Sequence, residues 1–185
     1  DFCLSRGLGD VYKRQVYNAL AGTAVGLTYG LSLEEIKAGI ESLQPVSGRF
    51  HIIDTGKYTV VDDCYNANPV SMKASLDVLT DALGRKVAIL GDMGELGKEE
   101  VEMHREVGVY AASKNLDLLI CVGELSQYMV EAAKHAAPTK HIFHFKTKEE
   151  LLQELPQILQ KGDTVLVKAS HFMGFEDVVK VLEKE

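Results

Sequence analysis

The 185-residue chain has no tryptophan, only four prolines and three cysteines, and its aromatic residues amount to 7%. Cys3, Cys64 and Cys121 are odd in number and lack the spacing of metal ligands. That excludes a disulfide framework and a zinc finger, and points to reduced thiols in the cytoplasm. No apolar run approaches the ~20 residues of a membrane span, and no signal peptide is visible. Basic charge is also scarce. Twenty Lys and Arg stand against 27 Asp and Glu, for a net charge of -7 and a pI near 5.4. This excludes nonspecific binding to nucleic acid or membranes, although a few well-placed donors still suffice for a phosphate. No Ser/His/Asp or Cys/His nucleophile arrangement stands out. His141 and His144 fall on opposite faces of a strand, which argues against a shared metal, and His104 reads as a packed or surface histidine in a helix.

What remains is ordinary for a soluble globular protein: 46% hydrophobic and 25% charged residues. The length suits one domain, or one domain plus a piece of another, and buries a core without disulfides or metals. Asp1–Gln15 shows no clear period and carries Arg6, Lys13 and Arg14 beside Gly7 and Gly9, unlike the acidic remainder. Residues 1–15 are expected to be non-native and the chain to be truncated at its amino end.

From Val16 the pattern becomes legible. An Ala- and Leu-rich helix runs to Tyr29, and Ser32 with Glu35 forms a capping box for a second helix. Gln44-Pro45-Val46-Ser47-Gly48 reads as a linker. Phe50–Ile53 and Tyr58–Val61 flank Thr55-Gly56-Lys57 as an antiparallel hairpin. Strands at 87–90, 118–122, 141–145 and 164–167 then alternate with helices at about 69–83, 99–113, 126–136, 149–159 (interrupted at Pro156) and 175–182. The expected fold is α/β: a Rossmann-like, mostly parallel sheet with helices on both faces and an antiparallel edge hairpin, preceded by two helices from a neighbouring domain.

Polar clusters follow three of the strands. They are Asp62-Asp63-Cys64-Tyr65-Asn66-Ala67-Asn68-Pro69, Gly91-Asp92-Met93-Gly94-Glu95-Leu96-Gly97 and Lys168-Ala169-Ser170-His171. In open α/β sheets ligands bind outside the carboxyl ends of the strands, so three such clusters line one mouth. Adjacent Asp62 and Asp63 repel unless something cationic or donating is near, and such carboxylates grip sugar hydroxyls or hydrated Mg²⁺. Asn68 before Pro69 starts a helix, and capping alone accounts for it equally well. The glycine loop has the wrong spacing for a dinucleotide fingerprint, and Asp92 and Glu95 suit an ammonium, a hydroxyl or a metal better than phosphate. The alternative is a turn with solvated acids. Lys168, Ser170 and His171 offer donors for a carboxylate or phosphate. Acids on one side and donors on the other fit a zwitterion such as a dipeptide. Cys64, beside two carboxylates, is expected to have a raised pKa and blunted reactivity.

These three motifs, in this order, together with His104-Arg105-Glu106-Val107-Gly108, resemble the Mur ligase family of peptidoglycan synthesis from about Val16 to the end. The resemblance implies residues 16–44 as the end of a central ATPase domain and residues 45–185 as a carboxyl-terminal domain. It also implies ATP with Mg²⁺ as cofactors, and UDP-N-acetylmuramoyl-tripeptide and D-alanyl-D-alanine as substrates, joined through an acyl phosphate. By position, Arg49, Asp63, Tyr65, Asn66 and Asn68 are implied at the nucleotide, with Asp63 on the ribose hydroxyls. Asp92, Glu95, Lys168, Ser170 and His171 are implied at the dipeptide. No catalytic residue or metal ligand falls in the chain. A P-loop is absent, so partners would be the missing amino-terminal and central domains, and the chain alone is expected to be inactive. Arg14 and Gln15 stand where the family has a His-Asn pair, and Lys168-Ala169-Ser170-His171 where many members have Lys-Gly-Ser-Arg. Two other classes compete: a stand-alone nucleotide- or small-ligand-binding module without catalysis, and a receiver domain phosphorylated on Asp92. The latter has the wrong strand order, because Asp92 follows the strand immediately after the acidic pair.

Overall fold

The computed structural model describes residues 9–43 and 47–184, with side chains from Val16 onward. Cys3 and most of the predicted linker, residues 44–46, lie outside those residues. The first helix, α1, spans Gly9–Thr28 and so begins seven residues before the predicted start. The sequence from Gly9 to Thr28 holds no proline, and once a helix is nucleated each added residue gains a backbone hydrogen bond without needing an amphipathic period. The second, α2 (Leu33–Glu41), carries the predicted box: Ser32 accepts from the Glu35 amide, and the Ser32 amide donates to the Glu35 carboxylate at 2.8 Å.

Strands β1 (His51–Asp54) and β2 (Thr59–Asp62) form the antiparallel hairpin. Its turn is closed by side chains. Asp54 accepts from the Gly56 amide at 2.9 Å, and the Thr55 hydroxyl accepts from the Tyr58 amide at 2.9 Å. Beyond it alternate α3 (Pro69–Thr80), β3 (Lys86–Gly91), α4 (Glu100–Ser113), β4 (Leu118–Val122), α5 (Ser126–Ala136), β5 (Ile142–Phe145), α6 (Lys148–Ile158), β6 (Thr164–Lys168) and α7 (Glu176–Lys184). Pro156 does not interrupt α6; the helix ends two residues later, so its ring disturbs only the final turn.

The sheet order is β1-β2-β6-β3-β4-β5, and every pairing except β1–β2 is parallel. Two apolar layers sandwich it. Met72, Leu76 and Leu79 of α3, Val107 of α4 and Met129 of α5 pack against Val61, Leu90 and Leu166 on one face. Leu151 and Leu155 of α6, Phe175 just before α7, and Val178 and Leu182 of α7 pack against Val60, Ile89 and Val167 on the other. Residues 87–90 and 164–167 are buried throughout, as central parallel strands covered on both faces require.

The chain steps from β3 to β4 to β5 toward one edge, and then returns to insert β6 between β2 and β3. The helices change face at that reversal. The carboxyl ends of β2, β6 and β3 are therefore neighbours at a topological switch point, where open α/β sheets hold their ligands. Helices α4 and α5 approach so closely that a Cβ at Gly108 would collide with the Met129 backbone. Gly108→Ala is accordingly expected to cost roughly 2–3 kcal/mol in urea unfolding, through overpacking against backbone that has nowhere to move. An unchanged midpoint would contradict this contact.

Candidate functional site

The adjacent carboxylates at the end of β2 point different ways and have different partners. Asp62, 2% exposed, accepts the Gly48 amide at 2.7 Å, the Ser47 hydroxyl at 3.2 Å and the Cys64 thiol at 3.0 Å. Asp63 accepts the Phe50 amide at 3.1 Å on Oδ1, and on Oδ2 the Ser75 hydroxyl and the Lys168 ammonium, each at 2.6 Å. Donors thus offset the repulsion between the pair. The same bonds hold the entry segment 47–50 against the sheet, where Phe50 takes a positive φ of 54°.

Beside this, the Arg49 guanidinium lies 4.2 Å from the centroid of the Tyr65 ring, and His171 leans on Tyr65 at 5.7 Å and 38°. Asn68 is the N-cap of α3, accepting from the Ser71 amide at 2.8 Å, so the capping reading holds for its side-chain oxygen. The Asn66 side chain accepts from the Ala67 amide at 2.8 Å. Arg49, Asp63, Tyr65, Asn66, Asn68 and Lys168 border one open cleft of about 540 Å³, joined there by Asn18 from α1 and Ser75 from α3.

The β3 loop is tied down residue by residue. Asp92, 6% exposed, accepts the amides of Ser126 at 2.7 Å and Leu125 at 3.2 Å, supplying the cap that Leu125 lacks at the start of α5. Its carboxylate fills the space where Gly123, at φ +124°, would carry a Cβ. The Met93 amide donates to Nε2 of fully buried His104 at 3.0 Å, which leaves Nδ1 to donate to the Glu100 carbonyl at 2.6 Å. The Gly94 amide donates to the Ser170 hydroxyl at 2.8 Å, and the Ser170 amide to the Asp92 carbonyl at 3.1 Å. Ser170, 3% exposed, also reaches the Ala67 carbonyl at 3.4 Å, joining all three clusters. Beyond these ties Glu95 is exposed, at a left-handed φ of 60°.

The ten predicted site residues therefore share one mouth but differ in what they leave free. Arg49, Tyr65, Asn66, Asn68, Glu95 and His171 are exposed, and Asp63 keeps part of its carboxylate open to the cleft. Lys168, Ser170 and Asp92 turn inward. Chemically, the β2 side offers a held carboxylate, a guanidinium and an aromatic face on which the His171 imidazole leans, and the β3 loop an exposed acid. Among the described residues no three His, Cys, Asp or Glu side chains come together as a metal site, and no helix is long and apolar enough to cross a membrane. Sequence reading missed Asn18 and Ser75, whose helical positions carry no local signal, and left His104 as a generic packed histidine.

The family profile described as "Mur ligase, glutamate ligase domain" matches residues 48–171. The chain belongs to the Mur ligase family. It is 35% identical over 92% of its length to the UDP-N-acetylmuramoyl-tripeptide–D-alanyl-D-alanine ligase of Bacillus subtilis, and 34% identical over 93% to that of Escherichia coli. Among solved structures, MurF from Acinetobacter baumannii matches 94% of the chain at 33% identity with a TM-score of 0.80. MurF ligase from Thermotoga maritima in complex with ADP matches 88% at 30% identity with a TM-score of 0.70. The chain spans only 38% and 37% of the two curated relatives, and 38% and 36% of the two solved chains.

Membership in the Mur ligase family disposes of the receiver reading, and the geometry gives the reason: the Asp92 carboxylate is spent on the start of α5 and is not presented to a phosphodonor. Cys64 is likewise no nucleophile. Burial, reinforced by the thiol–Asp62 hydrogen bond, pushes its pKa far up, and burial does the same for Cys121. Alkylation of both in the native protein at pH 8.5 is expected to be slower than in urea by roughly a hundredfold, as mass mapping would show. Because both folded-state values are raised, the stability tied to these thiols is fully present below the ordinary thiol pKa of about 8.5. It is lost as pH climbs above that value, so the urea midpoint should fall on the alkaline side. Fast native alkylation would contradict the burial.

Proposed function

We propose that this chain is the nucleotide- and acceptor-binding part of an ATP-dependent amide ligase that joins D-alanyl-D-alanine to UDP-N-acetylmuramoyl-tripeptide. One observation carries the reading. The cleft of about 540 Å³ gathers Arg49, Asp63, Tyr65, Asn66 and Asn68 in a chain 35% identical to a ligase of that name. ATP supplies the phosphoryl group that converts the tripeptide carboxylate into an acyl phosphate; the dipeptide amine attacks its carbonyl carbon, and phosphate leaves.

The residues present fit a nucleotide. Asp63 has accepted three hydrogen bonds through its side chain and retains acceptor capacity for a ribose hydroxyl. The Arg49–Tyr65 pair offers a cation and a ring face to base or phosphate, with Asn66 and Asn68 bordering the same space. No cluster of Mg²⁺ ligands accompanies them among the described residues, so the metal would come with the nucleotide or be held by other parts of the enzyme. On the β3 side Glu95 faces solvent as an acceptor for the dipeptide ammonium, and His171 stands as a donor toward its carboxylate. Asp92, Lys168 and Ser170 support these positions from behind. The work of the site is positioning: it holds an amine in line with an activated acyl group.

In this reading residues 16–44 are the end of a central ATPase domain and residues 45–185 the carboxyl-terminal domain, which agrees with a family match starting at residue 48. Residues 1–15 are foreign to it. The enzyme works in the cytoplasm without nucleic-acid or membrane partners. The chain alone binds ligands weakly, because the crevice closes only when the other domains meet it around substrate.

The direct test is a chimaera in which residues 16–185 replace the matching part of the Bacillus subtilis relative. Phosphate release should depend on D-alanyl-D-alanine. Asp63→Ala within it should lower kcat/KM for ATP by roughly tenfold or more, the loss of a hydrogen bond to a charged group. A folded chimaera that releases phosphate no faster with the dipeptide than without it would overturn the proposal.

A further inference from the structure

We infer that Lys168 is a positioning residue for ribose recognition: it orients and neutralises Asp63, and takes no part in reading the dipeptide. The inference deepens the nucleotide reading above and rests on it.

Lys168 stands at the end of β6, opposite Leu90 of β3 and one residue beyond the Asp62–Val167 pairing with β2. Its side chain is 2% exposed. An ammonium has three donors, and all three are spent on the β2 loop: Asp63 Oδ2 at 2.6 Å, the Asn66 carbonyl at 3.0 Å and the Asp63 carbonyl at 3.4 Å. None remains for an incoming carboxylate. A lysine at a strand end looks in sequence like a ligand donor, but here the rest of the mouth already satisfies its charge.

The consequence falls on Asp63. Its Oδ2 is filled by Lys168 and Ser75, and Oδ1 is held by the Phe50 amide, so the carboxylate has one orientation. A carboxylate offers about four acceptor positions, and three are taken. Asp63 is 15% exposed and borders the cleft, so the remaining capacity lies where a ligand hydroxyl meets a fixed acceptor. Lys168 also cancels the Asp63 charge, which would otherwise oppose the phosphates of the same ligand. Without Lys168 the carboxylate keeps two donors but loses its charge partner and its fixed rotamer, and a fixed acceptor is what gives directional selectivity.

A merely structural lysine and a positioning one differ in a single readout, the preference for ribose hydroxyls. The experiment is calorimetric titration of the 185-residue chain, and of its Lys168→Met and Ser75→Ala variants, with ADP and with 2′,3′-dideoxy-ADP, the fold of each protein being checked by its amide NMR spectrum. The wild-type chain should prefer ADP by roughly tenfold, as expected for hydrogen bonds to a charged acceptor. Lys168→Met should reduce that preference to less than about twofold, and Ser75→Ala should reduce it in part, since Asp63 then loses one of its two Oδ2 donors. Ser75→Ala leaves no buried charge unpaired and decides the matter if Lys168→Met does not fold. Variants that bind both nucleotides more weakly in parallel, or that keep the tenfold preference, would overturn the positioning role and leave the nucleotide site standing. A wild-type chain that binds neither nucleotide even at millimolar concentration would overturn both.

Discussion

A buried ammonium, that of Lys168, sits where β2, β6 and β3 end together, and the mouth of the sheet is arranged around its charge. Removing an ammonium from water costs several kcal/mol unless its donors are filled and a counter-charge is close. Both conditions are met by the β2 loop alone, through Asp63 and the Asn66 carbonyl. The lysine can occupy this place only because β6 threads between β2 and β3, which puts residue 168 beside a loop more than a hundred positions earlier in the chain. Ser170, two residues on, binds the β3 loop and reaches the β2 loop, so the insertion of one strand holds all three loops in register.

The acids of the mouth fall into two groups by their donors. Asp62 and Asp92 each accept backbone amides and are almost wholly buried: the first holds the entry segment at Gly48, the second caps α5. Asp63 and Glu95 are what the frame presents outward. A carboxylate satisfied from behind by fixed donors is a pre-oriented acceptor, because the cost of ordering it is met on folding and not on binding. Fully buried His104 works in the same sense on the β3 side: it fixes the Met93 amide two residues before Glu95 turns into its left-handed conformation.

Much of this was legible in the chain. The strand at 118–122 and the helix at 126–136 fall where their apolar patterns place them, because a buried parallel strand is an unbroken apolar run and a flanking helix carries a 3.6-residue stripe. The convergence of three polar clusters on one mouth was also readable from their positions after strands. The start of α1 was not, since helix propagation does not require an amphipathic pattern. Nor was the inward turn of Lys168 and Asp92. A charged residue at a strand end has the same local sequence whether it meets water or a partner 105 or 34 residues away, and only the strand order decides. Asn18 and Ser75 escaped for a similar reason: Asn18 is an exposed position of α1 and Ser75 a buried one of α3, and only the fold brings either to the cleft.

The proposed nucleotide site lies at the carboxyl ends of β2 and β6. Its most direct test is titration of the isotope-labelled chain with millimolar ADP, followed by amide NMR. Shifts confined to Arg49, residues 63–68, Ser75 and residues 168–171 would place the ligand against the Asp63–Lys168 pair, as the account predicts. Shifts clustered at the opposite ends of the strands, around Arg85 and Asp163, or no shifts at all, would contradict it.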